Sequence, residues 1–190
     1  MKFFSDYKMI LILGKSTLAY EIANILPDTE LVGRPEYDFA IREDCDRLIS
    51  TYTPDVIVNT VGTNKGDLWD TMVSNYVSVA YLTMKFYEKL SKAHIINISS
   101  TSTYWVSQPG INNDRLCYNM SKEALSNFGR HFNRKIVDDQ TKNIIVSTVE
   151  PGKFNSRFNN YSGGMSVQTV ANIIKQVIND PVTEISVIKK

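Results

Sequence analysis

The chain has 190 residues, enough for one domain with a substantial core, and its 21 basic and 20 acidic residues favour neither nucleic acid nor an anionic membrane as a partner. Two distant cysteines, Cys45 and Cys117, form neither a disulfide framework nor a zinc site, and with only two histidines besides no metal is expected. The first apolar run is too short for a signal peptide or a membrane span, so a cytoplasmic location without membrane contact is expected.

Short β-rich runs alternate with longer helical patterns along the whole chain. Most of the strand-like runs are almost continuously apolar, which is typical of parallel strands covered on both faces. The alternation predicts one α/β domain over residues 1–190, with a doubly wound, Rossmann-type parallel sheet of about six strands. Strands are predicted at 9–13, 30–33, 55–59, 94–99, 143–149 and 184–188, and helices at 16–26, 42–52, 68–91, 118–137 and 166–179.

The stretch ILILGKSTLAYEI at residues 10–22 fits two phosphate-binding motifs in part. A P-loop needs a second glycine where this chain has Met9, inside an apolar strand, and a strand cannot curl around a phosphate. A dinucleotide turn needs three glycines, of which only Gly14 is present; the others would fall near Thr17 and Ala19. The dinucleotide interpretation is therefore kept, with a turn that is shorter than usual. It predicts a phosphate-binding turn made of Gly14, Lys15, Ser16, Thr17 and Leu18.

Two long polar segments, 101–117 and 153–165, follow predicted strands. Ligands of doubly wound sheets bind beyond the carboxyl ends of the strands, and long loops in a compact domain are usually functional. These two segments are therefore predicted to form the substrate pocket.

Tyr118 and Lys122 are four residues apart, so on a helix their side chains share a face. A lysine ammonium about 4 Å from a phenol contributes roughly 4 kcal/mol of attraction at an effective dielectric near 20, which lowers the phenol pKa toward the range useful for acid–base catalysis. Tyr81 and Lys85 have the same spacing. That pair lies within a predicted helix, where an aromatic side chain is more often part of the core, whereas Tyr118 opens a helix after a strand and its long loop.

The run HIINISSTSTYW, which precedes Tyr118, resembles the fourth strand of the short-chain dehydrogenase/reductase family. The resemblance implies that Ser100 hydrogen-bonds the substrate oxygen, that Tyr118 is the general acid/base, and that Lys122 holds the nicotinamide ribose and tunes the tyrosine. The interval from serine to tyrosine is longer than usual in the family. Ser102 therefore stays open as the alternative serine.

Three further segments resemble the same family. SNYVSVAYLT is similar to the helix that carries an asparagine of a proton relay, which implies that role for Asn75. VIVNTVG is similar to the strand that ends beside the adenosine, which implies that Asn59 and Gly62 bind the cofactor. VEPGKFNSRF is similar to the turn that meets the nicotinamide amide. That similarity implies cofactor contacts for Pro151, Gly152 and the neighbourhood of Phe154 to Ser156.

The resemblance implies an NAD(P)-dependent oxidoreductase that interconverts an alcohol and a carbonyl of a small molecule. The chain is compact for the family, since only three residues separate Arg34 from Asp38 where relatives insert a helix and a strand. Two alternatives stay open. A non-catalytic NAD(P)-sensing protein would fit the shortened glycine turn. A nucleotide-sugar reductase or epimerase would fit the short connection between Arg34 and Asp38, but the expected lack of a separate sugar-binding domain argues against it.

The residues after the second strand indicate which dinucleotide is preferred. An acidic residue there accepts hydrogen bonds from the ribose of NAD, and an arginine pairs with the 2′-phosphate of NADP. This chain has Arg34 at that place, and Lys15 adds a second positive charge. Asp38 is also predicted to be a cofactor-binding residue. Glu36 is the alternative candidate, since its carboxylate could accept a hydrogen bond from the ribose of NAD. The prediction is NADP(H), with NAD(H) possible.

A homodimer or homotetramer is also predicted. Helices 68–91 and 118–137 carry apolar residues on more than one side, and in the family these two helices form the interface between subunits. The residues singled out for that role are Val73, Val77, Tyr81, Met84, Leu125, Phe128 and Phe132.

Overall fold

Six parallel strands form one sheet in the order β2-β1-β3-β4-β5-β6 in the computed structural model, which describes residues 7–102, 115–157, 160–161 and 164–187. The predicted doubly wound sheet of about six strands is confirmed. The order reverses between β1 and β3, and at such a switch point the adjacent connections diverge and leave a crevice. The strands are β1 (Ile10–Leu13), β2 (Thr29–Val32), β3 (Val56–Asn59), β4 (Lys92–Ile98), β5 (Asn143–Pro151) and β6 (Glu184–Val187).

Helices cover both faces of the sheet. They are α1 (Thr17–Ile25), α2 (Arg42–Thr51), α3 (Leu68–Met72), α4 (Ser78–Lys89), α5 (Leu116–Ile136) and α6 (Val167–Asn179), and a π-helical segment (Val73–Val77) joins α3 to α4. The predicted helix 68–91 is thus interrupted by the π-helical segment. Such insertions are frequent at functional sites, and this one carries Asn75.

Alternate residues of the strands enter two different cores. Ile10 and Ile12 pack with α1 and α6 on one face, whereas Leu11 and Leu13 pack with α2, α4 and α5 on the other. This arrangement explains why the central strands are apolar at every position. The two cores cover both faces of the sheet that carries the site residues at its carboxyl edge.

The expected subunit surface needs a correction. Leu125 and Phe132 are buried, and Phe128 packs against the same core, so these side chains serve the fold and not an outer face. They follow the helical spacing that α5 needs to cover the sheet. The exposed large apolar residues of these helices include two of the predicted ones, Val77 and Met84, together with Leu68, Trp69, Leu116 and Met120.

Within the described ranges, none of the helices has the length and hydropathy of a membrane span. A search of the same ranges finds no cluster of three or more histidine, cysteine or acidic side chains placed to hold a metal ion.

Candidate active site

A cleft of about 1090 Å³ lies at the carboxyl edge of the sheet. Its walls come from the ends of β1, β3, β4 and β5, so it occupies the crevice that the strand order creates. Its volume suits an extended ligand of dinucleotide size better than a single small molecule. Of the predicted site residues, those that line it are Lys15, Ser16, Thr17, Leu18, Gly62, Ser100, Tyr118, Lys122, Pro151, Gly152 and Phe154.

Ser100 and Tyr118 meet across the cleft wall. Ser100 follows β4, Tyr118 lies in the first turn of α5, and the two side chains are hydrogen-bonded. The backbone N–H of Ser102 donates to Ser100 Oγ at 3.1 Å, which orients the Ser100 hydroxyl. The Ser102 hydroxyl itself is buried without a partner among the described residues. The structure therefore brings Ser100, and not Ser102, to the tyrosine.

Lys122 lies one turn further along α5 and is only 5% exposed. Its ammonium donates to the carbonyl of Ile98, at the end of β4, at 2.7 Å. Burial lowers the pKa of this lysine to about 8, because an apolar environment disfavours the charged form. A Cβ at Gly62 would lie 3.4 Å from Lys122 Nζ, so a glycine in the loop after β3 leaves space beside the amine.

Asn75 is fully buried in the π-helical segment and joins three parts of the site. Its Oδ1 accepts from the backbone N–H of Thr63 at 2.6 Å, and its Nδ2 donates to the Thr63 carbonyl at 2.8 Å and to Ser121 Oγ at 2.9 Å. An asparagine suits this place because it offers an acceptor and two donors at once. It fixes the loop after β3 against α5, beside Lys122.

The electrostatics of Tyr118 differ from the sequence prediction. Burial raises its pKa above the ordinary value of 10.0, and the Ser100 hydrogen bond and the charge of Arg115 oppose that rise without cancelling it. The expected lowering by Lys122 is wrong for this structure, since the helical spacing does not fix where the ammonium points. It points to the Ile98 carbonyl. Tyr118 is therefore a protonated phenol at neutral pH, a proton donor before it is a base.

The shortened glycine turn forms the other end of the cleft. Gly14 has a φ of +96°, and a Cβ there would lie 3.0 Å from Thr60 Oγ1, so the turn brings β1 and β3 together and requires glycine. Ser16 caps α1 by accepting from the N–H of Ala19 at 3.1 Å. The remaining N–H groups of the first turn, those of Thr17 and Leu18, lie at the positive end of the helix, where anions are stabilised.

Two exposed ion pairs lie behind this turn. Lys15 pairs with Glu36 at 2.6 Å, and Arg34 pairs with Asp38 at 2.8 Å. Each arginine or lysine predicted to meet a 2′-phosphate is thus held by a carboxylate. The Arg34 side chain is 73% exposed, and neither Arg34 nor Asp38 lines the cleft itself.

The segment after β5 contributes an unusual hydroxyl. Ser156 lines the cleft and is 2% exposed, and its Oγ has no hydrogen-bond partner among the residues that the structure describes. Leaving a buried hydroxyl without a partner costs free energy, about 1–3 kcal/mol. A bound group in the cleft would satisfy it. The segment is anchored to α1 by the backbone N–H of Arg157, which donates to Thr17 Oγ1 at 3.4 Å.

Asn59 is a predicted cofactor-binding residue that does not line the cleft. It is 1% exposed, lies within the sheet beneath the cleft and donates through Nδ2 to Asn97 Oδ1 at 2.6 Å. Asn59 on β3 and Asn97 on β4 are register partners in the sheet. Each of the two strand sequences carries an asparagine near its end, and that was the signal from which the pairing could have been predicted.

Several polar residues that build the site were not predicted from the sequence. Ser99 donates to the Lys122 carbonyl at 2.8 Å and lies 2.7 Å from Ser126 Oγ, and Ser126 in turn donates to Glu150 at 2.6 Å. This buried network fastens α5 to β4 and β5 next to Lys122. Two serines, Ser99 and Ser100, follow β4, but the sequence led to a role for Ser100 alone.

The fold is that of short-chain dehydrogenases and reductases of known structure. One from Vibrio parahaemolyticus superposes with a TM-score of 0.77 at 19% identity, over 94% of this chain and 98% of that one. A short-chain dehydrogenase from Burkholderia cenocepacia, solved in complex with NADP, gives 0.77 at 15% identity over 95% and 88%. The carbonyl reductase Sniffer of D. melanogaster gives 0.76 at 17% over 95% and 96%. No protein-family model and no curated protein sequence matches the chain.

Proposed function

We propose that the chain is a short-chain dehydrogenase/reductase: an NAD(P)-dependent oxidoreductase that interconverts a carbonyl and an alcohol, with Tyr118 as general acid/base. The observation that carries the proposal is the hydrogen bond between Ser100 and Tyr118 in the cleft, with Lys122 and Asn75 beside it. The residues come from β4, α5 and the π-helical segment. Packing alone would not require a serine, a tyrosine and a lysine to converge on one face.

The residues present fit a nicotinamide dinucleotide. Gly14 leaves room at the first turn, the N-terminus of α1 suits the pyrophosphate, and the unpartnered Ser156 hydroxyl suits the nicotinamide amide. Lys122 would hold the ribose, and Gly62 leaves space beside that amine. The dinucleotide, when bound, supplies or accepts the hydride.

The chain's own groups handle the proton. In the reducing direction Tyr118 donates its phenol proton to the carbonyl oxygen, which the raised pKa favours because the phenol is protonated at neutral pH. Ser100 donates a hydrogen bond to the same oxygen and keeps it next to the phenol. Asn75 holds the loop after β3 and α5 in place, so that Lys122 keeps its position.

We infer a preference for NADP(H). Lys15, which follows β1, and Arg34, which follows β2, supply two positive charges. A Cβ added at Gly33 would lie 3.4 Å from Lys15 Cγ, so the lysine side chain lies next to the turn after β2. A 2′-phosphate would compete with Glu36 and Asp38 for these cations. Matched structures of this fold hold NADP, NADPH or NADH, so the fold by itself favours neither dinucleotide.

We also infer a homodimer or homotetramer through the outer face of α3, α4 and the start of α5. Exposed apolar side chains from these helices and from the π-helical segment, among them Trp69 at 76%, Val77 and Met120, lie on the outer surface and not in either core. Light scattering at micromolar concentration is expected to give at least the dimer mass. A monomer would contradict the assignment.

Replacement of one tyrosine tests the catalytic proposal. Tyr118→Phe removes only the acid/base hydroxyl, so turnover should fall about 10²- to 10⁴-fold while NADPH affinity stays near the wild-type value. Tyr81→Phe is the matched control, because Tyr81 has the same spacing to a lysine but bonds to Asp46 on the surface of α2. It should keep most of the activity. Equal losses in the two variants would refute the assignment of Tyr118.

A further inference from the structure

Positive charge is concentrated in the cleft, although the chain as a whole is almost neutral, with 21 basic and 20 acidic residues. One acidic side chain, that of Glu21, lies among the described residues of the lining. A cleft lined by one sign of charge attracts ligands of the opposite sign. The basic residues of the lining are Lys15, Lys65, Arg115, Lys122, Lys153 and Arg157.

Part of this charge is accounted for by the dinucleotide. Lys15 follows the Gly14 turn, and Arg157 is anchored by its backbone to Thr17 in the first turn of α1. Both therefore lie where the phosphates are expected. Lys122 is engaged with the Ile98 carbonyl at 2.7 Å and is assigned to the ribose.

Arg115 lies at the opposite end, beside the reacting group. It immediately precedes α5, three residues before Tyr118, and lines the cleft. Burial raises the pKa of Tyr118, and the charge of Arg115 is close enough to oppose that rise. Arg115 takes part in none of the ion pairs found among the described residues. Its guanidinium is therefore available to a ligand at the place where the substrate must lie.

Two further features of this end favour an anion. The first turn of α5 has no acidic residue and no side-chain cap, so the positive end of a 21-residue helix is not neutralised there. Ser102 also lines the cleft, and its buried hydroxyl has no partner within the described part of the chain. Its backbone N–H bonds to Ser100 at 3.1 Å, which places it on the Tyr118 side.

We propose that the substrate carries a carboxylate or phosphate group, bound by the Arg115 guanidinium with the Ser102 hydroxyl as a second donor, while its carbonyl or alcohol oxygen lies at Tyr118. The inference rests on the proposed oxidoreductase function and names the substrate class of that same site. A guanidinium can hold either anion through two parallel hydrogen bonds, so the two anions share one recognition chemistry.

The test compares charged and neutral substrates of matched carbon skeleton. Levulinate is paired with its methyl ester, and dihydroxyacetone phosphate with dihydroxyacetone, under saturating NADPH. For at least one pair, kcat/KM should be about 10- to 100-fold higher for the anion, the range expected for a hydrogen bond to a charged group. Whichever pair shows the larger ratio identifies carboxylate or phosphate as the anion.

Variants separate substrate binding from an effect on Tyr118. Arg115→Gln should abolish the preference for the anion and leave the neutral substrate within about threefold, and Arg115→Lys should restore part of the preference. Arg130→Gln is the matched control, since it removes one arginine from the same helix outside the cleft and should keep the full preference.

Three results would overturn the inference. The first is equal kcat/KM for the charged and neutral members of both pairs. The second is an equal loss for both members in Arg115→Gln, which would mean that the arginine acts only through Tyr118. The third is absence of turnover with every carbonyl and either dinucleotide; that result refutes the oxidoreductase function itself and is distinguished from the first two by the lack of any rate to compare.

Discussion

The two ends of the cleft hold their charged groups in opposite ways. At the end formed by β1, α1 and β2, Lys15 and Arg34 pair with Glu36 and Asp38 on the protein surface. At the end formed by β4, α5 and β5, the polar groups around Lys122 are buried and bonded to one another and to backbone carbonyls, as Lys122 is to Ile98, and Arg115 is exposed at the edge of this network. Surface ion pairs contribute little to stability and exchange partners easily, whereas buried groups are fixed at a cost to stability.

This difference assigns different tasks to the two ends. The exposed pairs can release their cations to an incoming phosphate, so they are suited to binding and selecting a dinucleotide. The buried network cannot rearrange without exposing unpaired groups, so it is suited to holding a proton donor in one geometry. Changes at the first end should therefore alter affinity with little effect on folding, and changes at the second should alter both rate and stability.

The largest expected effect is that of Lys122→Met. The rate should fall at least 10²-fold, yet the variant should be about 1–3 kcal/mol more stable than wild type at pH 7, because burial of the ammonium lowers its pKa from 10.5 to about 8 and only one hydrogen bond is lost. Stability of wild type should rise relative to the variant between pH 8 and 10.5, where the unfolded chain binds a proton that the folded chain does not. Urea unfolding at both pH values measures this. A less stable variant at pH 7 would contradict the assigned cost of burial.

Acid should act on the buried end of the molecule. His94 is fully buried in β4, its Nε2 lies 2.8 Å from Ser147 Oγ, and burial lowers its pKa from 6.5 to about 4. The free energy of unfolding should therefore be fully present above pH 6.5 and should fall by about 3 kcal/mol as the pH falls from 6.5 to 4. Over that interval the unfolded chain binds a proton at His94 that the folded chain does not. Urea midpoints between pH 7 and 4 check this, with His94→Gln as the comparison. An equally steep fall in the variant would show that another group is responsible.

The smallest of these effects belongs to the exposed end. Arg34→Ala should weaken NADPH binding by about 1.5–3 kcal/mol, the range for a hydrogen bond to a charged group, and should barely change NADH binding or the unfolding midpoint. Fluorescence titration with both dinucleotides measures it. The control is Arg42→Ala, which removes an arginine on α2 that is paired with Asp46 and lies over the Tyr81 ring. Equal losses for NADPH and NADH, or tighter NADH binding by wild type, would overturn the preference for NADP(H).

Much of the fold could be predicted from the sequence because its strands are apolar at successive positions and its helices follow regular spacing. The carboxyl-edge location of the cleft followed from the same alternation. Side-chain direction could not be predicted in this way. The spacing placed Lys122 on the same helical face as Tyr118 but could not show that its ammonium bonds to Ile98. Leu125 and Phe132 had the spacing of either a core or an interface, and only the packing of α5 on the sheet decided for the core.

The long-range contacts of the site residues could not be predicted from the sequence either. Asn75 bonds to Thr63 and Ser121, and Glu150 meets Ser126 24 positions away, so no local pattern joins them. The predicted segment 101–117 includes residues 103–114, which lie outside the described part of the chain. Its role in forming the pocket stays a prediction.

One experiment that measures both dinucleotide binding and carbonyl reduction tests the proposed oxidoreductase function. Wild-type protein is titrated with NADPH, and the same sample is then mixed with a panel of carbonyl compounds while loss of NADPH and formation of alcohol are both quantified. We expect saturable NADPH binding and one alcohol formed for each NADPH consumed. Tight NADPH binding without reduction of any carbonyl would contradict it and would identify the chain as a dinucleotide-sensing protein.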